Sequence, residues 1–334
     1  MDIKKILVVG YGSMGRRRIR LVRRLVPTAE IICLDSNSDR IIKAEEDGCV
    51  SVSSIDEGVR HKPDVAFVCT SPGSHLNIIL KLLSSGIHVF SELNLSTKGY
   101  DDIEKLARDN NVVCFLSSTL IYKRQMEIID EIVSRQNKPL TYVYHVGQYL
   151  PDWHPWENYK DFFVSKKETN AIRELLAIQL PWIIRTFGKV KEVNVLFQKC
   201  TNLDINYPDS AIVLIAHENG TIGSFTVDVV SRKAMTKLEI IGESVHVIWG
   251  GHNDDLYEYN IETKEMNKLK VYDIDEHVDG YSENISEEPY LQEIIEFFNT
   301  INGVKPKYDI NDDTYVLNLI DIIESDKSFS IMQD

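Results

Sequence analysis

No pair of cysteines in this chain has CxxC spacing, and the five present (Cys33, Cys49, Cys69, Cys114 and Cys200) are scattered and odd in number. That pattern argues against a disulfide framework and against a zinc site, so reduced thiols and no bound metal are expected. Long apolar runs are missing too. No stretch approaches the roughly 18 uncharged apolar residues needed to span a bilayer, and the apolar run of MDIKKILVVGYG stops at glycine too soon for a secretory signal. A cytoplasmic protein without a membrane partner is expected. Positive charge is short as well, with 37 Lys and Arg against 51 Asp and Glu and a net charge of −14. Nucleic-acid affinity depends on Lys and Arg neutralising phosphates, so nucleic acid is not an expected partner.

What is present is ordinary globular material, 43% apolar and 26% charged, in a chain of 334 residues, a length that suggests two domains. The charge is unevenly placed. Residues 1–124 carry 18 basic and 15 acidic groups, whereas the remainder carries 19 and 36. The two parts differ in chemistry as well as position.

Up to about residue 123, short apolar runs alternate with helical patterns. KILVVG (5–10), AEIICL (29–34), CVSV (49–52), DVAFVC (64–69), IHVF (87–90) and VVCFL (112–116) read as strands. Amphipathic segments at 16–25, 39–47, 74–85 and 99–110 separate most of them. Continuous apolar runs alternating with helices imply a doubly wound, mostly parallel sheet. Beyond residue 124 the grammar changes to β-branched runs with an Asn219-Gly220 hairpin signal, which suggests an antiparallel sheet. Helices are expected at 125–134, 170–187, 289–302 and 312–325. The reading is α/β: a Rossmann domain over 1–123 and an α+β domain over 124–334, whose final helices could pack back on the first domain.

The most informative motif is Gly10-Tyr11-Gly12-Ser13-Met14-Gly15, a GxGxxG between a strand and a helix. The first glycine permits a tight turn, the second lets the backbone approach a pyrophosphate, and the third allows close helix-to-strand packing. Free N–H groups and a partial positive charge at the helix start suit the phosphates. Asp35 follows Gly15 by 20 residues at the end of the second strand. A carboxylate there accepts from the adenosine ribose and repels a 2′-phosphate, which favours NAD over NADP. Arg40 works against that preference. The arginines at 16, 17, 18, 20, 23 and 24 read as a solvated helix face, with Arg16 alone placed to approach the pyrophosphate.

With the glycine motif, Cys69-Thr70-Ser71-Pro72-Gly73-Ser74-His75, Ser91-Glu92-Leu93-Asn94 and Tyr149-Leu150-Pro151-Asp152-Trp153-His154-Pro155, the chain resembles the Gfo/Idh/MocA oxidoreductases over nearly its whole length. The resemblance implies a Rossmann domain beside a large open, mainly antiparallel sheet, and NAD(P)-dependent chemistry at a carbinol carbon of a sugar, cyclitol or nucleotide-sugar. It also implies a homodimer or homotetramer. By it, Thr70, Ser71, Pro72 and His75 border the nicotinamide, and Glu92 looks toward the nicotinamide ribose.

Two departures stand out. Leu93 occupies the position of the family's lysine and Asn94 that of its proline. Ile178 stands where the family's histidine does, with Glu174 at or beside its aspartate. Neither leucine nor isoleucine can exchange a proton. Glu174, as a desolvated carboxyl, and His154 are the candidate replacements. The competing readings are a surface glutamate paired with a base and a packed loop histidine. Asn94, Tyr122, Trp153, Lys166 and Gln179 are the candidate substrate residues. Tyr149, Trp156, Tyr159, Lys123 and Lys167 could add to them or serve only structure. Two functions stay open: an NAD(H)-dependent oxidoreductase with non-standard acid/base groups, and a catalytically silent NAD-binding sensor or assembly protein.

Overall fold

Continuous apolar runs fold as a sheet covered on both faces. The computed structural model describes residues 3–154, 157–272 and 286–325. The chain divides into two units, Met1–Thr119 with Tyr290–Tyr315, and Leu120–Pro289 with Val316–Asp334.

The first unit contains β1 (Lys5–Val9), α1 (Ser13–Leu25), β2 (Glu30–Leu34), α2 (Ser38–Glu46), β3 (Val50–Ser51), α3 (Ile55–Arg60), β4 (Val65–Val68), α4 (Pro72–Ser84), β5 (His88–Ser91), α5 (Tyr100–Asp109) and β6 (Cys114–Leu116). Six parallel strands lie in the order β3-β2-β1-β4-β5-β6, with the order reversing between β1 and β4. That is the doubly wound arrangement expected from sequence, and its reversal point defines where a ligand sits, outside the carboxyl ends of the strands. The helix α3 has no counterpart in the sequence reading. Its six residues are too few to show a period, but Ser54 caps it by accepting from Glu57 N–H.

Phe67, Phe90 and Phe115 stand in register across β4, β5 and β6. Phe297, from a helix near the end of the chain, packs against all three at centroid distances of 5.7–5.8 Å. This aromatic cluster gives the 290–315 segment its place in the first unit.

The second unit contains α6 (Arg124–Ser134), β7 (Thr141–Gly147), α7 (Ala171–Phe187), β8 (Val190–Gln198), β9 (Ser210–His217), β10 (Ile222–Asp228), β11 (Met235–Ile241), β12 (His246–Trp249), β13 (Leu256–Asn260) and β14 (Glu265–Lys268). Its eight-stranded sheet has the order β14-β13-β12-β11-β7-β10-β9-β8 and is antiparallel except between β7 and β10. Tyr142 stacks on Phe187 of α7 at 4.3 Å and Tyr144 meets Trp182 edge-on at 5.1 Å, so α7 covers one sheet face. The other face shows Val143, Leu196, Ile212, Leu214, Ile222 and Ile241, all exposed. The strand β14 escapes a sequence reading because all four of its residues are exposed and show no alternation. Two further helices complete the chain, α8 (Glu288–Ile301) and α9 (Ile310–Ser325).

Candidate cofactor site and candidate proton carriers

The glycine motif does in three dimensions what its spacing requires. Gly10 has φ +100° and donates its N–H to Leu34 O at 2.7 Å, which locks the β1 turn onto β2. A Cβ on Gly15 would stand 1.9 Å from Gly10 O, so only glycine lets α1 approach the turn this closely. At Gly12, by contrast, the nearest atom to an added Cβ is Arg40 Nη1 at 3.8 Å. That side of the turn is open to a ligand. Gly12 is the N-cap of α1, and no acidic residue lies in the first turn, so nothing opposes an anion there.

Asp35 stands beside the glycine turn. Its Oδ2 accepts from Tyr11 N–H at 2.6 Å and its Oδ1 from Asn37 N–H at 2.8 Å. Those two bonds fix the carboxylate beside the glycine turn while leaving lone pairs for ribose hydroxyls. Arg40 Nη1 lies 3.8 Å from Asp35 Oδ2 on a half-exposed side chain. Tyr11 hydrogen-bonds Asp47, and burial together with that carboxylate pushes its phenol above the usual range.

Thr70, Ser71 and Pro72 follow β4 at its carboxyl end, with Ser71 as N-cap of α4 and Pro72 in its first turn. Ser74 Oγ donates to Ser71 O at 2.9 Å and stands 2.7 Å from Thr70 Oγ1, which stiffens this turn. His75 is buried beneath it. Its Nε2 lies 2.8 Å from Thr70 O and its Nδ1 2.8 Å from the Asn94 amide. His75 therefore supports Thr70 from inside, and Asn94 shares that interior position instead of offering an open face.

Glu92 follows Ser91, the last residue of β5. Its carboxylate takes two hydrogen bonds from Arg18, from Nε at 2.6 Å and from Nη2 at 3.2 Å. Arg18 is fully buried and also pairs with buried Glu293 at 2.7 Å. Its guanidinium lies over the Phe90 ring at 4.4 Å. Burial pushes the Glu293 carboxyl upward, against the pull of Arg18. The solvated reading of the α1 arginines is thus corrected at two positions, because Arg17 and Arg18 are both buried. A signal was available: Arg18 stands three residues after Gly15 and four before Val22, which places it on the apolar stripe of α1.

In the second unit, Glu174 lies in the first turn of α7. Its Oε2 is buried without a hydrogen-bond partner, and burial raises the carboxyl to about 8. Ile178 is one turn further along the same part-exposed face. Gln179 points the other way, into the core, where its Oε1 accepts from Tyr144 at 2.8 Å and from Trp182 at 3.1 Å. Tyr122 is also buried, and Lys123 Nζ lies 5.1 Å over the Trp249 ring.

The aromatic loop holds itself together. Trp153 Nε1 donates to Gln148 O at 2.9 Å, and Arg232 lies 3.7 Å over the Tyr149 ring. His154 packs against Phe162 at 4.6 Å, with Nδ1 4.0 Å from Glu157, and burial draws its pKa down. Tyr159 accepts from Asp204 N–H through its hydroxyl. Lys166 and Lys167 are exposed. Pro155 and Trp156 lie outside the described residues. Among the described residues, no group of His, Cys, Asp or Glu side chains could hold a metal ion, and no helix is long and apolar enough to cross a membrane.

The first unit is therefore defined by fold and turn chemistry as a dinucleotide-binding domain. Residues 4–118 match the Gfo/Idh/MocA oxidoreductase family, NAD-binding Rossmann fold. The match lies within the first unit, and NAD is the cofactor of such a domain. Human biliverdin reductase A is 28% identical over 110 residues, a match covering 32% of this chain and 37% of that protein. Two solved structures share the fold across both units. Levoglucosan dehydrogenase in complex with NADH has a TM-score of 0.79 at 15% identity, covering 96% of each chain. The WlbA dehydrogenase of Chromobacterium violaceum, in complex with NADH and UDP-GlcNAcA, has a TM-score of 0.75 at 14% identity, covering 97% of this chain and 93% of that one.

Proposed function

We propose that the protein is an NAD(H)-dependent oxidoreductase acting on a hydroxyl or carbonyl carbon of a sugar, cyclitol or nucleotide-sugar, with Glu174 as proton carrier. The observation that carries this reading is the Glu174 carboxyl, buried at Oε2 and raised to about 8, one turn from Ile178, which the resemblance sets at the position of the family's histidine. Bound NAD supplies the hydride chemistry. Asp35 orients the adenosine ribose, the N-terminus of α1 holds the diphosphate, and Glu92 faces the nicotinamide half. At neutral pH Glu174 is protonated and gives its proton to a carbonyl oxygen. Above about 8 it is ionised and takes the proton of a hydroxyl. His154, kept neutral by burial, is the second candidate for that step.

The structures that share the fold include enzymes named for sugars and nucleotide-sugars, which supports this substrate class. The biliverdin reductase match lies within the cofactor domain's length and leaves the substrate unspecified. Lys166 and Lys167 suit a nucleotide-sugar phosphate, and Trp153 a sugar face. The outward face of the eight-stranded sheet, with Leu196 and Leu214 more than half exposed, suits a homodimer or homotetramer.

The test is turnover: reduced-nicotinamide absorbance followed with a panel of sugars, cyclitols and nucleotide-sugars, then repeated with Glu174→Gln and His154→Ala. Loss of turnover in Glu174→Gln is expected, and unchanged turnover in both variants overturns the assignment. A second reading, an NAD-binding sensor or assembly protein, is favoured by Leu93 and Ile178. It predicts tightly held, slowly exchanging NAD with no turnover on any member of the panel.

A further inference from the structure

The carboxylates of Glu92 and Glu293 meet a single buried guanidinium, Arg18, at the carboxyl ends of β5 and β6. We infer that these two carboxylates set the redox preference of the cofactor site, biasing it toward oxidised NAD over NADH. The inference rests on the reading of the first unit as the NAD site.

The position follows from topology. The glycine turn after β1 and Asp35 after β2 take the diphosphate and the adenosine ribose, and the strand order reverses between β1 and β4. A dinucleotide laid across that reversal places its nicotinamide half over the ends of β4 and β5. Glu92 is the first residue past β5, and its side chain is 12% exposed, whereas those of Arg18 and Glu293 are sealed. Glu92 is thus the member of the cluster that faces the ligand side.

The charges are fixed by hydrogen bonding. Glu293 accepts from Arg18 Nη2 at 2.7 Å, Ser118 N–H at 2.8 Å, Ser117 Oγ at 2.9 Å and Thr119 Oγ1 at 3.0 Å. The Arg18 guanidinium and the Ser118 N–H can only donate, and with both hydroxyls turned toward the carboxyl they favour its anion against the cost of burial. Arg18 is held by both carboxylates and cannot release its proton. Two anions therefore share one cation. Arg17 stacks on Tyr290 at 4.3 Å as a further cation nearby, so the inference concerns the bias exerted by each carboxylate and not an absolute preference.

Oxidised and reduced cofactor differ by one positive charge, carried on the nicotinamide ring. A fixed anion in the nicotinamide half of the site would stabilise the oxidised form and leave the neutral reduced form almost untouched. In a partly screened site several ångströms away, one unit charge changes the ratio of the two affinities by roughly five- to tenfold. Leu93 brings no positive charge to offset it.

The experiment is a calorimetric titration of the full chain with NAD+ and with NADH, each separately, for the wild type, Glu293→Gln and the double variant Arg18→Met/Glu293→Gln. Glu293→Gln should lower the preference for NAD+ by roughly fivefold or more. The double variant removes one charge of each sign and should return to about the wild-type ratio. If Glu293→Gln does not fold, Glu92→Gln reads the same loss of one anion, and the double variant keeps its predicted ratio. A ratio in the single-charge variants within about twofold of wild type overturns the inference while leaving NAD binding intact. Failure of the wild type to bind either form removes the underlying reading and the inference together.

Discussion

Arg18 and Glu92, 74 residues apart in sequence, are joined by two hydrogen bonds, Nε to Oε1 at 2.6 Å and Nη2 to Oε2 at 3.2 Å. With Glu293 at 2.7 Å from the same guanidinium, one arginine ties α1 to the end of β5 and to α8. Removing it leaves Glu92 and Glu293 without the guanidinium that both bind, a cost of about 3–5 kcal/mol. Arg18→Met is therefore expected to lower unfolding stability by that amount in urea titration. Its loss should be larger than that of Arg20→Met, which lies on a more exposed part of the helix.

The second and third glycines of the motif predict opposite phenotypes. Gly15→Ala drives a methyl to 1.9 Å from a backbone oxygen that cannot swing away. A loss of about 1–3 kcal/mol or more is expected, read as a lower urea midpoint. Gly12→Ala meets nothing closer than 3.8 Å and should fold as wild type. In the proposed site its methyl meets the diphosphate, so NAD affinity should fall at least about tenfold. Equal stability losses in the two variants would contradict this division of roles.

Glu174 makes stability depend on pH with a definite sign. Its folded-state value of about 8 lies above the ordinary 4.5, so the folded chain holds that proton more tightly than the unfolded chain. The resulting stabilisation is complete below pH 4.5 and drains away as pH rises toward 8. Glu174→Gln never ionises. It should match wild type at acid pH and exceed it by roughly 2–4 kcal/mol near pH 8, after allowance for its partly exposed setting. If Glu174 is the proton carrier, the same variant loses turnover by about 100-fold or more. Oxidation by the wild type should then rise through pH 8, and reduction should fall.

Much of the first unit was legible because its strands announce themselves. KILVV can only be a strand covered on both faces, and the glycines that follow it leave few alternatives for the turn. The place of Asp35 just past β2, beside the glycine turn, was readable from spacing for the same reason. Arg18 was hidden among six arginines in nine positions, and its partners lie 74 and 275 residues away, beyond any local pattern. Gln179 was misplaced because α7 is apolar nearly all round, so its periodicity does not say which side faces outward. His75 and Asn94 read as ligand groups from their neighbours in sequence, yet both turn inward, where His75 braces the backbone of Thr70 and Asn94 holds His75. Glu174 stood out from sequence only through the residues missing beside it.

The most direct measurement is calorimetry of NAD+ added to purified, cofactor-stripped protein, compared with Asp35→Ala. The account predicts saturable binding at one site per chain for wild type and affinity weakened by at least about tenfold in the variant, since the ribose hydroxyls lose their acceptor. Absence of heat with the wild type, or equal affinity in the two proteins, would contradict it.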